Sequence, residues 1–140
     1  MAQPLSLSQH QFGIVVERNL AAKMRDGITL YADVHRPDAP GKFPVILMRV
    51  PYDKTAATPL NYVHYFVPRG YVVVVQDTRG RYTSEGEYYP LMHEAEDGYD
   101  TVEWAAALPW ADGLVGTAGQ SYHGATQYLL PHTRPPHLRC

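Results

Sequence analysis

Apolar and polar residues along the chain follow two rhythms. Residues 28–35, ITLYADVH, alternate, with Ile28, Leu30, Ala32 and Val34 on one side and Thr29, Tyr31, Asp33 and His35 on the other. That period of two predicts a half-buried strand. Residues 12–19, FGIVVERN, read as a second strand, and Asp26-Gly27 between the two is a turn signal, so the two form an antiparallel pair at the edge of a sheet. Val45-Ile46-Leu47-Met48 and Tyr71–Gln76 are continuously apolar until the closing glutamine, as strands covered on both faces are. Leu114–Ala118 is a shorter run of the same kind. Between these lie helical stretches. Residues 58–67 have Thr58 placed to cap and Pro59 in the first turn. Residues 93–107 carry a stripe through Ala95, Gly98, Val102 and Ala105 or Ala106, and Ala125–Leu130 follows the last strand. Residues 36–44, 77–87 and 109–113 read as loops and turns.

Strand and helix alternating from Val45 onward predict right-handed crossovers and a mostly parallel sheet with helices on both faces. The fold class is therefore α/β, with an antiparallel N-terminal strand pair. In such sheets ligands bind at the carboxyl ends of the strands. Three segments converge there: Tyr52-Asp53-Lys54, Asp77-Thr78-Arg79-Gly80 and Ser121.

The last of these is the centre of the chemistry. Leu114–Leu130, LVGTAGQSYHGATQYLL, runs from strand to glycine-flanked serine to helix, the pattern of a nucleophile elbow. The serine backbone is strained so that its hydroxyl stands above the sheet, and a side chain where the helix packs back would clash with the strand. His123 stands where the short G-x-S-x-G pattern has glycine, and Gly124 follows one residue later, so the match is to G-x-S-Y-x-G. A strand, a Gly/Ser turn and a helix without chemistry is the alternative at this level.

Composition narrows the classes. The 140 residues are enough for one domain, with a hydrophobic content of 45% and a charged content of 19%, a globular balance. Net charge is −2 and no Lys/Arg run exists, which disfavours nucleic acid and anionic membranes as partners. The single cysteine, Cys140, excludes an internal disulfide and a Cys-based metal site. His93-Glu94-Ala95-Glu96-Asp97 lacks zinc-ligand spacing and reads as a solvated helix N-terminus favoured by the dipole. No dinucleotide fingerprint or Walker A pattern is present, and no cofactor or metal is expected. His10, His35 and His64 read as surface or satisfied residues. MAQPLSLSQHQF has neither a positive n-region nor an apolar h-region, and no run is long enough to span a membrane. A cytoplasmic location is the expectation.

Taken together and in order, MRDGITLYADVHRP, VPYDK, GYVVVVQDTRGRYTSEGE, EDGYDTVEW and PWADGLVGTAGQSYHGATQ resemble the cocaine-esterase-like α/β-hydrolases, relatives of the X-prolyl dipeptidyl-peptidases and α-amino-acid ester hydrolases. The resemblance runs from about Val16 to Leu138. It implies an acyl-transfer serine hydrolase acting on a small ester, amide or short peptide. Ser121 matches the acylated serine and Tyr52 the tyrosine whose hydroxyl lines the oxyanion hole. The Tyr122 N–H, following the nucleophile, is the second donor. A loop tyrosine packed on the sheet edge is the alternative for Tyr52. Asp77 and Arg79 match a family-typical stretch and read as structural ties from the loop to the elbow.

The chain departs from the family at one point. The α/β-hydrolase triad runs Ser, acid, His along the chain, yet no Asp or Glu follows Asp112. The histidines after Ser121 are His123 on the elbow helix and His132 and His137 in a Pro-rich tail, none with a route back over the serine. The expectation is an N-terminal portion, residues 1–140, of an α/β-hydrolase catalytic domain. The lid, the half bearing Asp and His, and the C-terminal β-sandwich are all missing from it. Two functions follow: a serine hydrolase inactive as this chain alone, or a non-catalytic hydrolase-like interaction module. The elbow strand, lacking a further parallel neighbour, presents an apolar edge for self-association.

Overall fold

The computed structural model describes residues 7–140, so the reading of the first six residues as part of a leaderless N-terminus lies outside the described residues. Five strands form one open mixed sheet in the order β1-β2-β4-β3-β5. They are β1 (Ile14–Lys23), β2 (Thr29–Pro37), β3 (Phe43–Val50), β4 (Val72–Asp77) and β5 (Ala111–Thr117). The helices are α1 (Ala57–Phe66), α2 (Glu94–Ala106) and α3 (Tyr122–Leu129). β1 and β2 pair antiparallel, β2 meets β4 antiparallel, and β4, β3 and β5 run parallel. This is the expected mixed α/β sheet with its antiparallel N-terminal pair.

Side-chain parity sorts the core into two layers. Ala32, Val34, Val45, Leu47, Val72, Val74 and Val115 point to one face and pack with Val102, Ala105 and Leu130 of α2 and the end of α3. Met48, Val50, Val73 and Val75 point to the other and pack with Val63 of α1 and Val67 beyond it. All six residues of β4 are buried, which is why its four valines run on without alternation, while Gln76 and Asp77 at its end are buried polar groups. Each such valine, fully buried, contributes roughly 1.5–3 kcal/mol of transfer free energy.

Several boundaries differ from the sequence reading, each for a local reason. β1 extends to Lys23 because its pairing with β2 resumes after a bulge between Glu17 and Leu20, where Asn19 takes φ 51° and donates its N–H to Asp33 Oδ1 at 2.9 Å. Asp33 and His35, expected on the solvent face of a half-buried strand, are both buried. α1 begins at Ala57 without a side-chain cap. The turn before it is organised instead by Asp53, whose Oδ1 accepts from the N–H and hydroxyl of Thr55 at 2.9 and 2.8 Å. Asp112-Gly113, expected within a turn, lies inside β5, where the pairing with β3 slips between Phe43 and Val45 and Gly113 sits at φ 90°. α3 starts directly at Tyr122, three residues earlier than its apolar pattern suggested.

The outer edge of β5 is not bare. Val115 and Thr117 donate to the carbonyls of His137 and Cys140 at 3.1 and 2.8 Å, and Arg139 donates back to Val115 at 2.8 Å. Val115 and Leu138 bridge in parallel. The C-terminal residues thus lie alongside β5 through an isolated parallel bridge and these hydrogen bonds, which corrects the picture of an unpaired elbow-strand edge. An apolar groove of about 290 Å³ remains between this edge and α1, lined among others by Ile46, Phe66, Tyr71, Leu114 and Ala118.

Candidate active site

Ser121 occupies the turn from β5 to α3 with φ 57° and ψ −126°, a region that L-residues enter only under constraint. It is exposed, and as the residue before α3 it sits at the helix N-terminus. The first-turn N–H groups of a helix have no intrahelical acceptor, so the Tyr122 N–H next to Ser121 belongs to a set of donors open to an anion.

Gly119 explains how so sharp a turn fits. Its φ is 135°, and a Cβ built there would overlap the His123 Cβ of the returning helix. The clash is with the helix, not with the strand. Gly124 is not under the same demand, since an added Cβ would meet only the Gly119 carbonyl at 3.7 Å.

Tyr52 follows β3 and stands half exposed, at 54%. Its ring lies edge-on to the Tyr122 ring with centroids 6.3 Å apart, and 5.8 Å from the His123 imidazole. Tyr52, Ser121 and Tyr122 are thus neighbours at the carboxyl end of the sheet, and Tyr52 is not packed away on the sheet edge. Two polar devices fix their loops. In the first, Asp77 at the end of β4 accepts the Lys54 N–H at 2.9 Å and its ammonium at 2.8 Å, and Thr83 donates to the same carboxylate at 2.8 Å. In the second, Arg79 forms a two-point pair with Asp97 at 2.9 and 2.6 Å and reaches Asp26 at 2.7 Å. These bonds raise the Arg79 pKa, Asp97 being the first cause, and hold the Asp26 carboxyl below its usual range. Asp77 and Arg79 are structural, as expected. Their ties, however, run to the Tyr52 loop, to α2 and to the β1–β2 turn rather than to the elbow.

The acidic start of α2 was misread as a solvated face. Only Glu96 is exposed, while Glu94 and Asp97 are buried against Arg49 and Arg79. The signal was available: Glu94 and Asp97 fall at the i, i+3 spacing that shares a helix face with Gly98, Thr101 and Ala105. Arg49 points to the α2 face, its Nε donating to Gln76 Oε1 at 3.0 Å and its Nη1 to the Glu94 carbonyl at 3.0 Å.

The histidines after Ser121 have other occupations. His123 is buried with neither ring nitrogen hydrogen-bonded, and burial lowers its pKa, keeping it neutral. His132 is exposed, and His137 lies 2.7 Å from Glu103. Neither His10 nor His64 is buried, but His35 is, with its Nε2 unpartnered, which corrects its reading as a surface or satisfied residue. Among the described residues no group of three or more His, Cys, Asp or Glu is placed to hold a metal, and no helix is long and apolar enough to cross a membrane.

Comparison with known proteins agrees with this architecture. The chain is 46% identical over 120 residues to cocaine esterase of a Rhodococcus species, covering 81% of this chain and 20% of that protein. It superposes on a CocE/NonD family hydrolase from Staphylococcus aureus with a TM-score of 0.82 at 34% identity, covering 89% of this chain and 26% of the other. An α-amino acid ester hydrolase gives 0.77 at 28% identity, covering 99% and 26%. The chain therefore spans about a fifth to a quarter of the proteins it matches. Residues 26–140 match the X-Pro dipeptidyl-peptidase (S15) family, and the chain belongs to that family of serine-hydrolase-type esterases and peptidases.

Proposed function

We propose that Ser121 is the acyl-accepting nucleophile of a serine hydrolase acting on a small ester, amide or short peptide, and that residues 1–140 form the N-terminal portion of its catalytic domain. The observation that carries this is the Ser121 backbone, held at φ 57° and ψ −126° on an exposed turn at a helix N-terminus. Such strain has no packing benefit of its own and costs on the order of 1–3 kcal/mol.

In the reaction, the Ser121 hydroxyl gives its proton to a base as Oγ bonds to the substrate carbonyl carbon. The carbonyl π pair moves onto oxygen, where the Tyr52 hydroxyl and the Tyr122 N–H donate to the oxyanion. Collapse expels the alcohol or amine, which takes up the proton, and water repeats the sequence on the acyl-enzyme. His123 is sealed and neutral, and no carboxylate follows Asp112, so the base and its acid come from outside residues 1–140. Ester, X-Pro peptide and amino-acid ester substrates all suit this chemistry. The net charge of −2 and the absence of a Lys/Arg run favour small-molecule substrates over nucleic acid or anionic membrane, and the cytoplasm is the proposed location.

The missing base also favours a second reading, a hydrolase-like module without turnover that acts through its surface. Labelling with a fluorophosphonate separates the two. In a form of the protein that supplies the triad's acid and base, Ser121 is labelled and Ser121→Ala is not. Absence of labelling in that form would sink the nucleophile reading.

A further inference from the structure

We infer that Glu94 is a positioning residue for the oxyanion hole, holding the Tyr122 N–H in place through the Tyr122 phenol; this rests on the reading of Ser121 as nucleophile. The Tyr122 hydroxyl donates to Glu94 Oε1 at 2.8 Å and accepts the Leu91 N–H at 3.0 Å. The other carboxylate oxygen, Oε2, lies 2.8 Å from Arg49 Nη1. Arg49 is fixed in turn by Gln76 and by the Glu94 carbonyl, and Gln76 also accepts from the Thr101 hydroxyl at 3.0 Å. The chain of contacts therefore runs from β3 and β4, the central strands, through α2 to the ring of the residue directly after the nucleophile.

Three features favour positioning over simple packing. First, the Tyr122 ring is tethered at its far end, so its χ angles, and with them the peptide plane that carries its N–H, have one orientation relative to the sheet. Second, the residue before it is strained, and a strained peptide relaxes unless its neighbours over-determine it. Third, Arg49 and Glu94 are both nearly fully buried, and a buried ion pair is on its own a weak stabiliser that well-packed apolar side chains can replace. The half-buried Tyr122 phenol has its pKa raised, by burial first and with the Glu94 carboxylate adding to it, so the hydroxyl stays protonated and remains the donor in this contact. Glu94 is itself buried and contacts the Tyr122 hydroxyl and Arg49.

The test measures kcat, KM and melting temperature with p-nitrophenyl acetate. It uses a form of the protein that supplies the acid and base, and compares Ser121→Ala, Tyr122→Phe, Glu94→Gln and the double variant Tyr122→Phe/Glu94→Gln. Ser121→Ala abolishes turnover. Tyr122→Phe and Glu94→Gln each lower kcat by ~10–10²-fold, the scale of a misaligned catalytic group, with KM within about twofold. The double variant loses no more than the worse single variant, because both act on one contact. Normal kcat in Tyr122→Phe beside an inactive Ser121→Ala overturns the positioning role and leaves the nucleophile reading standing. Additive losses, or a change confined to KM, overturn it equally. Turnover surviving in Ser121→Ala overturns the nucleophile reading and this inference with it. Should Glu94→Gln fail to fold, Tyr122→Phe, which removes one oxygen at a half-buried site, decides alone.

Discussion

The Asp77 carboxylate grips Lys54 at both ends, taking its backbone N–H on Oδ1 and its ammonium on Oδ2. Asp77 ends β4 and Lys54 lies in the loop that follows the neighbouring parallel strand β3, so one buried ion pair sets where the chain leaves β3 and hence where Tyr52 stands. Both side chains are almost entirely removed from solvent, at 4% and 0% exposure. Removing one partner strands a buried charge, which costs about 3–5 kcal/mol. Asp77→Asn is expected to lower stability by that order in urea denaturation of the chain. Lys54→Met in the Asp77→Asn background should recover part of the loss, since it removes the stranded ammonium. A double variant no more stable than Asp77→Asn would show that the pair serves some purpose other than mutual neutralisation.

The Tyr52 ring lies against Tyr122 and His123, and half of its surface is exposed. A phenol donor aimed at a forming oxyanion acts mainly in the transition state. In a form of the protein carrying the acid and base, Tyr52→Phe is expected to reduce kcat by roughly 10²–10³-fold, about 2.7–4 kcal/mol, with KM little changed. A rise in KM at constant kcat would make Tyr52 a substrate-binding residue only. No change in either would return it to the role of a packed loop tyrosine.

The strands and the sharp turn at Ser121 were legible because each is written locally. Apolar runs mark β3 and β4, and a serine among glycines marks a turn that only a few backbones can make. The buried charges were not legible in the same way. Glu94, Asp97 and Asp33 have the composition of a solvated surface, and only their partners on other elements, Arg49, Arg79 and Arg18, make them interior. Pairings that span up to 45 residues are not written locally, and only the shared helix face of Glu94 and Asp97 hints that these two are interior. The tail from His137 to Cys140 escaped for a related reason. It is too short and too proline-flanked to announce any pairing, and it meets β5 only through one isolated bridge and a few backbone hydrogen bonds.

His35 makes stability depend on pH. Burial is the main cause that lowers its pKa from 6.5 to about 4, with Arg18 and His64 assisting and Asp33 opposing. The folded state keeps it neutral while the unfolded chain protonates it, so the unfolded state binds more protons between about pH 6.5 and 4. Stability present above pH 6.5 is therefore lost as pH falls through that window, by on the order of 3 kcal/mol. His123, lowered in the same direction by burial, adds to the loss. Urea midpoints at pH 7.5 and 4.5 check this. His35→Gln should lose clearly less than the unsubstituted chain over that interval, and an equal loss would place the acid sensitivity elsewhere.

For residues 1–140 alone, no Ser121-dependent turnover of p-nitrophenyl acetate is expected. The three histidines after Ser121 are sealed, exposed or engaged with Glu103, and single triad losses lower rates by several orders of magnitude. The comparison is with Ser121→Ala of the same chain. A clear difference between the two rates would mean that a base is present after all, with His123 the residue to examine.

The two glycines of the elbow should respond oppositely to alanine. At Gly119 a Cβ would both demand an unfavourable positive φ and overlap the His123 Cβ. Strain and overpacking each cost about 1–3 kcal/mol, so Gly119→Ala is expected to destabilise the chain by roughly 2–5 kcal/mol. The two parts can be separated. In a His123→Gly background the overlap disappears and the φ penalty stays, so the cost of Gly119→Ala should fall to roughly 1–3 kcal/mol. Gly124, in contrast, lies within α3, and its added Cβ would make one ordinary contact at 3.7 Å. Glycine inside a helix costs roughly 0.5–1 kcal/mol relative to alanine, so Gly124→Ala should be neutral or stabilising by that amount. Denaturant unfolding of Gly119→Ala, Gly124→Ala, His123→Gly and the His123→Gly/Gly119→Ala double variant decides the matter. A destabilised Gly124→Ala beside a tolerated Gly119→Ala would mean that the trailing glycine of the motif, not the leading one, allows the helix to return past Ser121.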